Sequence, residues 1–369
     1  MDKQRARSWR VAAVALALAL ACMLAPSAMA ATGHAHPRGK RANHAQRGLY
    51  WGAWIGNQLT GGQPPWDMSA VSRFEQLTGK GLSLVEFAGP FAECSSGPCS
   101  FYRFPAKEME TLRNYGAIPF FSWGSQSNPV PGDLSEPDFR LADIINGTYD
   151  AYIKEFAEAA RDWGHPFFLR FDWEMNGTWF PWSEGVNGNQ AGEYVAAWRH
   201  VHDIFTSVGA TNATWVWCPY ASAQHRFAQT ARYYPGNEYV DWTCLDDFNW
   251  GRNSVNSQPW RSFAQILNSN YREIVSKVAP AKPMLLAETA SNGVGHEKAT
   301  WIRNMFRTLA TKFRRIRGLI WFDQVDRGVQ WPIETSAAAT RAFAKGIASP
   351  SFQANDYAAL PDPAVAPPP

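Results

Sequence analysis

The chain predicts a (β/α)8 barrel, and three observations point there. Eight short apolar runs follow one another between residues 49 and 323: 49–55, 82–87, 118–123, 167–174, 214–219, 240–249, 284–289 and 318–323. They are near-continuous in hydrophobics instead of alternating with polar residues, the pattern of strands covered on both faces. Amphipathic segments of helical spacing separate them, and each run with its segment takes about 34 residues, the size of one βα unit. A doubly wound open sheet is the alternative, but no glycine-rich phosphate loop follows the first run.

Ahead of the first run, residues 1–30 have the form of a secretory leader. Lys3, Arg5, Arg7 and Arg10 precede an apolar stretch from Val11 to Leu24, and Ala28-Met29-Ala30 supplies a small-x-small cleavage site. The apolar stretch is short for a membrane span and no second one of spanning length follows, so a secreted protein cut after Ala30 is expected. Residues 31–48 read as a flexible basic arm, with Arg38, Lys40, Arg41 and Arg47 and no acid. Of the formal net charge of +3, the leader holds +3 and the arm +4, which leaves −4 from Gly48 onward. A weakly acidic body argues against nucleic acid as a partner. A neutral substrate fits better.

After the second run, Cys94 and Cys99 bracket the turn sequence Ser95-Ser96-Gly97-Pro98, which suits a local disulfide. Cys218 and Cys244 fall in neighbouring strands and form either a second disulfide or two buried thiols. Helices follow the third and fourth runs. Tyr149, Tyr152, Phe156, Ala159 and Trp163 recur at three and four residues and stop at Gly164; Tyr194, Trp198, Val201, Phe205 and Val208 do the same and stop at Gly209. Segments 260–279 and 296–315 have the same spacing. His200 and His202 lie two apart on a helix and cannot share a metal in the usual i, i+4 manner. Residues 49–348 thus form the barrel domain, and the Pro-rich tail 349–369, without periodicity, reads as a stub or linker.

A barrel of this kind carries function at the C-terminal ends of its strands. Glu174 closes the fourth run and Glu288 the seventh, each after residues a core would absorb. Strands four and seven lie across the mouth from one another, so the two carboxylates can converge on a bound molecule. A facing pair, one protonated and one ionised, is what glycosidic bond cleavage requires.

The segment Arg170-x-x-x-Glu174-Met175-Asn176-Gly177, followed by Trp179-Phe180-Pro181-Trp182, resembles the acid/base segment of glycoside hydrolase family 26. Trp215-Val216-Trp217, Asp247-Phe248-Asn249-Trp250-Gly251, Leu286-Ala287-Glu288-Thr289 and Ile320-Trp321-Phe322-Asp323 resemble it in the same order. The resemblance implies a retaining glycosidase with Glu174 as proton donor, Glu288 as nucleophile and no metal or organic cofactor. It implies β-1,4-mannan first as substrate, with mixed-linkage β-glucan or xylan as the alternative, or a carbohydrate-binding barrel that has lost turnover. Two positions depart from the family pattern. Trp173 stands where the family places His, and Phe248 where it places a Tyr that orients the nucleophile.

Flat sugar faces stack on aromatic rings, and the chain has 18 Trp. Trp173, Asn176, Trp179, Trp217, Phe248, Trp250 and Trp321 are the candidate substrate contacts. Arg170, in a strand otherwise of Phe and Leu, is expected inside the barrel with a carboxylate partner, supporting the site. Glu86 and Asp323 read as structural, with substrate contact as the alternative. The chain reads as a monomer.

Overall fold

The computed structural model describes residues 47–95, 97–221, 229–251, 258–293, 296–360 and 363–369; the leader and the arm up to residue 46 lie outside the described residues. Eight parallel strands are β1 (Tyr50–Ile55), β2 (Leu84–Glu93), β3 (Ile118–Asn128), β4 (Phe167–Phe171), β5 (Ala213–Trp217), β6 (Trp242–Asn249), β7 (Met284–Ser291) and β8 (Ile316–Asp323). Each pairs with the next, and β1 pairs with both β2 (Gly52 with Leu84) and β8 (Tyr50 with Gly318), which closes the barrel. The helices between them are α1 (Met68–Thr78), α2 (Ala106–Tyr115), α3 (Leu141–Ile145), α4 (Asp150–Trp163), α5 (Glu193–Ser207), α6 (Phe263–Glu273), α7 (His296–Thr311) and α8 (Ala337–Ile347). No described helix is long and apolar enough to cross a membrane.

Local chemistry accounts for the helix limits. In α4 the buried residues Tyr152, Ile153, Phe156, Ala157 and Ala160 form one stripe, and Gly164 ends it in the left-handed region (φ 78°), its N–H returning to the Ala160 carbonyl. α6 begins with a capping box, in which Ser262 accepts from the Gln265 N–H and the Gln265 side chain accepts from the Ser262 N–H.

Strand alternation sorts the apolar residues into two cores. Tyr50, Leu84, Phe120, Phe168, Val216, Trp242, Leu285 and Ile320 fill the barrel. Trp51, Phe121, Leu169, Trp217, Leu286 and Trp321 pack outward under the helices. This corrects two expectations. Trp217 and Trp321 are fully buried in the outer core, Trp217 donating its indole N–H to the Tyr233 carbonyl and Trp321 packing on Trp301 and Phe343. Neither reaches the mouth, because each sits one residue out of phase with the inward positions.

β2 and β3 run on past the apolar stretches that announce them, to Glu93 and Asn128, and stand above the barrel as a two-strand wall. A two-residue strand, Ser100–Phe101, pairs antiparallel with Ala92 and Glu93, and the turn between is closed by the Cys94–Cys99 disulfide. Cys218 and Cys244 are joined in a second disulfide, inside the barrel.

The tail is not a free stub or linker. Tyr357 donates to the Pro166 carbonyl (2.6 Å), the Val365 N–H to Thr214 Oγ1 (2.8 Å), and Trp242 Nε1 to the Val365 carbonyl (2.9 Å). Tyr50 donates its hydroxyl to the Ala366 carbonyl (2.9 Å), and Val365 is buried against the inner core. Segment 363–369 floors the N-terminal end of the barrel.

Candidate active site

The site grows out of the strand ends. β4 stops at Phe171, and the chain leaves it with Asp172 (φ 40°) and Glu174 (φ 53°) in the left-handed region. Such a conformation costs of order 1–3 kcal/mol per non-glycine residue and persists where the surroundings hold it. Here they do. Asp172 accepts from the Ser125 N–H (2.7 Å) and hydroxyl (2.8 Å), and the Glu174 N–H donates to the Cys218 carbonyl (2.7 Å). Glu174 therefore stands three residues beyond the strand, on a braced turn.

Glu288 reaches the interior by a different device. Leu286 pairs with Leu245 on β6, yet Asp246 pairs with Glu288, so Ala287 is an extra residue in β7. This bulge breaks the alternation and turns Glu288 inward, where strict period two would send it toward the helices.

Arg170 lies fully buried beneath both residues. Its Nε donates to Ser122 Oγ (2.8 Å), Nη1 to Asp246 Oδ2 (2.9 Å), and Nη2 to Glu288 Oε1 (2.5 Å) and to Glu86 Oε1. The sequence calls for one carboxylate partner; the structure supplies three. Its guanidinium also lies 4.9 Å from the Trp173 ring centroid. Asp246 further accepts from the Glu288 N–H (3.0 Å), fixing the backbone that carries that side chain.

One guanidinium cannot neutralise four neighbouring acids, and the electrostatics divide them. Burial pushes Glu86 up to about 8, with the Glu288 charge adding to it and Arg170 opposing. Asp246 is raised for the same first reason. Glu174 is pushed up to about 7, by burial and then by the Glu288 charge, while the Trp179 indole bond pulls the other way. Near neutral pH Glu174 thus holds its proton in much of the population. Glu288 has a cation on one oxygen.

Of the expected contacts, Trp179 donates its indole N–H to Glu174 Oε2 (2.5 Å), and Trp173 packs half-buried against Phe180 and Trp182. Phe248 and Trp250 stand together at the β6 side with Trp331. Asn176 is turned to another use: its amide donates to the Tyr220 carbonyl (2.9 Å) and accepts from the Tyr220 N–H (2.8 Å), tying the β4 loop to the β5 loop. Glu86 is buried on Arg170, and Asp323 accepts from the Ile333 N–H.

Three residues of the site escape the sequence reading. Asp246 lies inside β6, not at its end, and its neighbour Asp247 hides which of the two faces inward. Tyr220 is buried beside Glu174, its hydroxyl accepting from Trp250 Nε1 (2.9 Å) and its ring meeting Trp179 edge-on. Trp331 follows a short hairpin and has no sequence signal. Cys218, Cys244 and Asp246 come within 4.8 Å of one another, but the two sulfurs are bonded to each other and offer no thiolate pair to a metal.

Comparison with known proteins places the chain among glycosidases. The model of glycosyl hydrolase family 26 matches residues 126–311. Endoglucanase H of Acetivibrio thermocellus is 31% identical over 309 residues, 82% of this chain and 31% of that protein. Mannan endo-1,4-beta-mannosidase A and B of Caldalkalibacillus mannanilyticus is 36% identical over 96 residues, 25% of this chain and 18% of that protein. The matched stretch is thus less than a third of either relative's length. Among solved structures, the Bacillus subtilis mannanase man26 shares the fold, with a TM-score of 0.57 at 17% identity over 88% of this chain and 92% of that one.

Proposed function

The chain belongs to glycosyl hydrolase family 26, and on that premise we propose that it is a retaining endo-glycosidase of neutral β-linked polysaccharides, with Glu174 as acid/base and Glu288 as nucleophile. The observation that carries this reading is the unequal setting of the two carboxylates. Glu174 is buried beside a second negative charge and pushed up to about 7, whereas Glu288 meets the Arg170 guanidinium at 2.5 Å.

The chemistry follows from that inequality. Glu174 gives its proton to the glycosidic oxygen as the bond from that oxygen to the anomeric carbon breaks. The Glu288 oxygen not held by Arg170 attacks the same carbon and forms a glycosyl ester. Esterification removes the Glu288 charge, and with it the repulsion that raises Glu174. Glu174 then becomes the stronger acid, its anion is favoured, and it takes a proton from the water that attacks the ester. The hydroxyl ends on the sugar and Glu288 is released as carboxylate.

For the substrate, β-glucan is the first reading. The endoglucanase relative aligns with 82% of the chain and the mannosidase relative with 25%. Trp173 and Phe248 also depart from the family's usual pattern, which keeps a substrate other than mannan in view. β-1,4-Mannan is the second reading, supported by that shorter alignment and by the motifs the chain keeps. Secretion is part of the proposal, resting on the leader pattern of residues 1–30 and on the two disulfides.

The test is release of reducing ends from mixed-linkage β-glucan, mannan and xylan by the chain lacking residues 1–30, beside Glu288→Ala. Release from glucan that the variant abolishes is the expected result. Release from mannan or xylan alone keeps the mechanism and moves the substrate. Binding without release on all three identifies a barrel that has lost turnover.

A further inference from the structure

Four large hydrophobic residues are exposed among those described: Trp66, Phe101, Trp260 and Val325. Trp66 (55% exposed) and Phe101 (50%) line one groove, with a cavity volume of about 960 Å³. That is the upper end of the range of sites for organic ligands, about 300–1,000 Å³. The groove is separate from the carboxylate cluster. Along β2, Glu86 points inward to Arg170, and its neighbour Phe87 points outward to meet Trp66 edge-on at 6.0 Å. One thickness of barrel wall therefore divides the two places.

The groove is built rigidly. Phe101 is held in a strand pairing with Ala92, behind the Cys94–Cys99 disulfide, and stacks on Tyr152 at 4.4 Å with 14° between ring planes. One face of its ring is thus covered and the other is presented. Glu93, Glu108 and Glu155 supply carboxylates along the same groove, Glu155 already paired with Arg103 at 2.7 Å. Two presented aromatic rings flanked by carboxylates match one ligand chemistry. The rings take the C–H faces of pyranose units and the carboxylates accept their hydroxyls. The net negative lining disfavours an anionic ligand, and a neutral glycan pays no charge penalty there.

We propose that this groove is a second binding site for the polysaccharide, outside the active site, which holds a neighbouring stretch of chain while the barrel mouth cuts. The assignment rests on the glycosidase reading above for the identity of the glycan, though not for the existence of the groove.

The test combines Trp66→Ala with Phe101→Ala in a Glu288→Ala background, so that binding is read without turnover. Binding to insoluble β-glucan and mannan is measured by depletion from solution. Loss of both rings is expected to weaken it about tenfold, which is about 1.4 kcal/mol. With Glu288 intact, the same two substitutions should leave kcat/KM on short soluble oligosaccharides unchanged and reduce turnover of insoluble polymer. Thermal unfolding checks that the double variant is folded; if it is not, Phe101→Ser alone, at an exposed position, replaces it. Unchanged binding in a folded variant, with the parent active, overturns the groove and leaves the glycosidase reading standing. A parent that cuts nothing but whose binding falls with the rings overturns the glycosidase reading and supports the groove. A parent that neither cuts nor binds overturns both.

Discussion

The two ends of the barrel are built on the same strands from opposite materials. At the lower end, Leu84, Phe120, Phe168 and Cys244 make an apolar filling that Trp242, Tyr50 and Val365 close. One step of two residues along each strand converts these into Glu86, Ser122, Arg170 and Asp246, an ionic layer with almost no exposure. The fold accepts this exchange because Arg170 bonds to each of the other three members of the layer. What separates floor from mouth is the energy at stake in a single change, and whether the change reads out as stability or as rate.

The largest expected effect is at the mouth. Glu174→Ala should cut turnover of polysaccharide by about 10²–10⁴-fold. It should cost far less on an aryl glycoside whose leaving group needs no proton, a contrast that kinetics on the two substrates reads directly. An equal loss on both would mean that Glu174 does not deliver the proton. Next, Arg170→Met strands Glu86, Asp246 and Glu288 without their cation, and should destabilise the fold by about 3–5 kcal/mol in chemical denaturation. At the floor, deleting 363–369 removes the burial of Val365 and its bonds to Thr214 and Trp242, and should cost about 2–4 kcal/mol. The pH–rate profile of the folded fraction should not move. If it does, the two ends are coupled and the contrast between them fails.

The smallest effect sharpens the comparison. Glu174 must be protonated to act, so kcat/KM should fall as pH rises through about 7. Trp179 stabilises the Glu174 anion through its N–H. Trp179→Phe should therefore move this alkaline limb to higher pH, measured on a short soluble oligosaccharide.

How much of this is legible in the sequence depends on which signal each part uses. All eight strands are visible because burial on both faces makes each a nearly unbroken apolar run. Glu174 and Glu288 are visible as charges at the ends of such runs. Their orientation is not, since Glu288 depends on a one-residue bulge at Ala287 that leaves no mark in composition. Trp217 and Trp321 mislead for a related reason: a Trp near a strand end looks the same whether it faces mouth or helix, and only the phase set by Val216 or Ile320 decides. The floor is silent because segment 363–369, Pro-Ala-Val-Ala-Pro-Pro-Pro, has no periodicity and is too rich in Pro to announce a helix or strand. Its contacts are made mainly by backbone carbonyls and N–H groups, which every sequence has.

That floor also fixes an order of events in assembly. The hydrogen bond from Tyr50 to Ala366 joins residues 316 positions apart, and Leu49 bridges to Phe352 beside it. β1 therefore waits for both β8 and segment 363–369 before its lower edge is satisfied. Closing so long a loop is slow compared with pairing neighbouring βα units, and until it closes the partial barrel has open strand edges. Final closure should therefore be the step most exposed to aggregation, and refolding yield should fall with protein concentration more steeply than equilibrium stability alone would suggest.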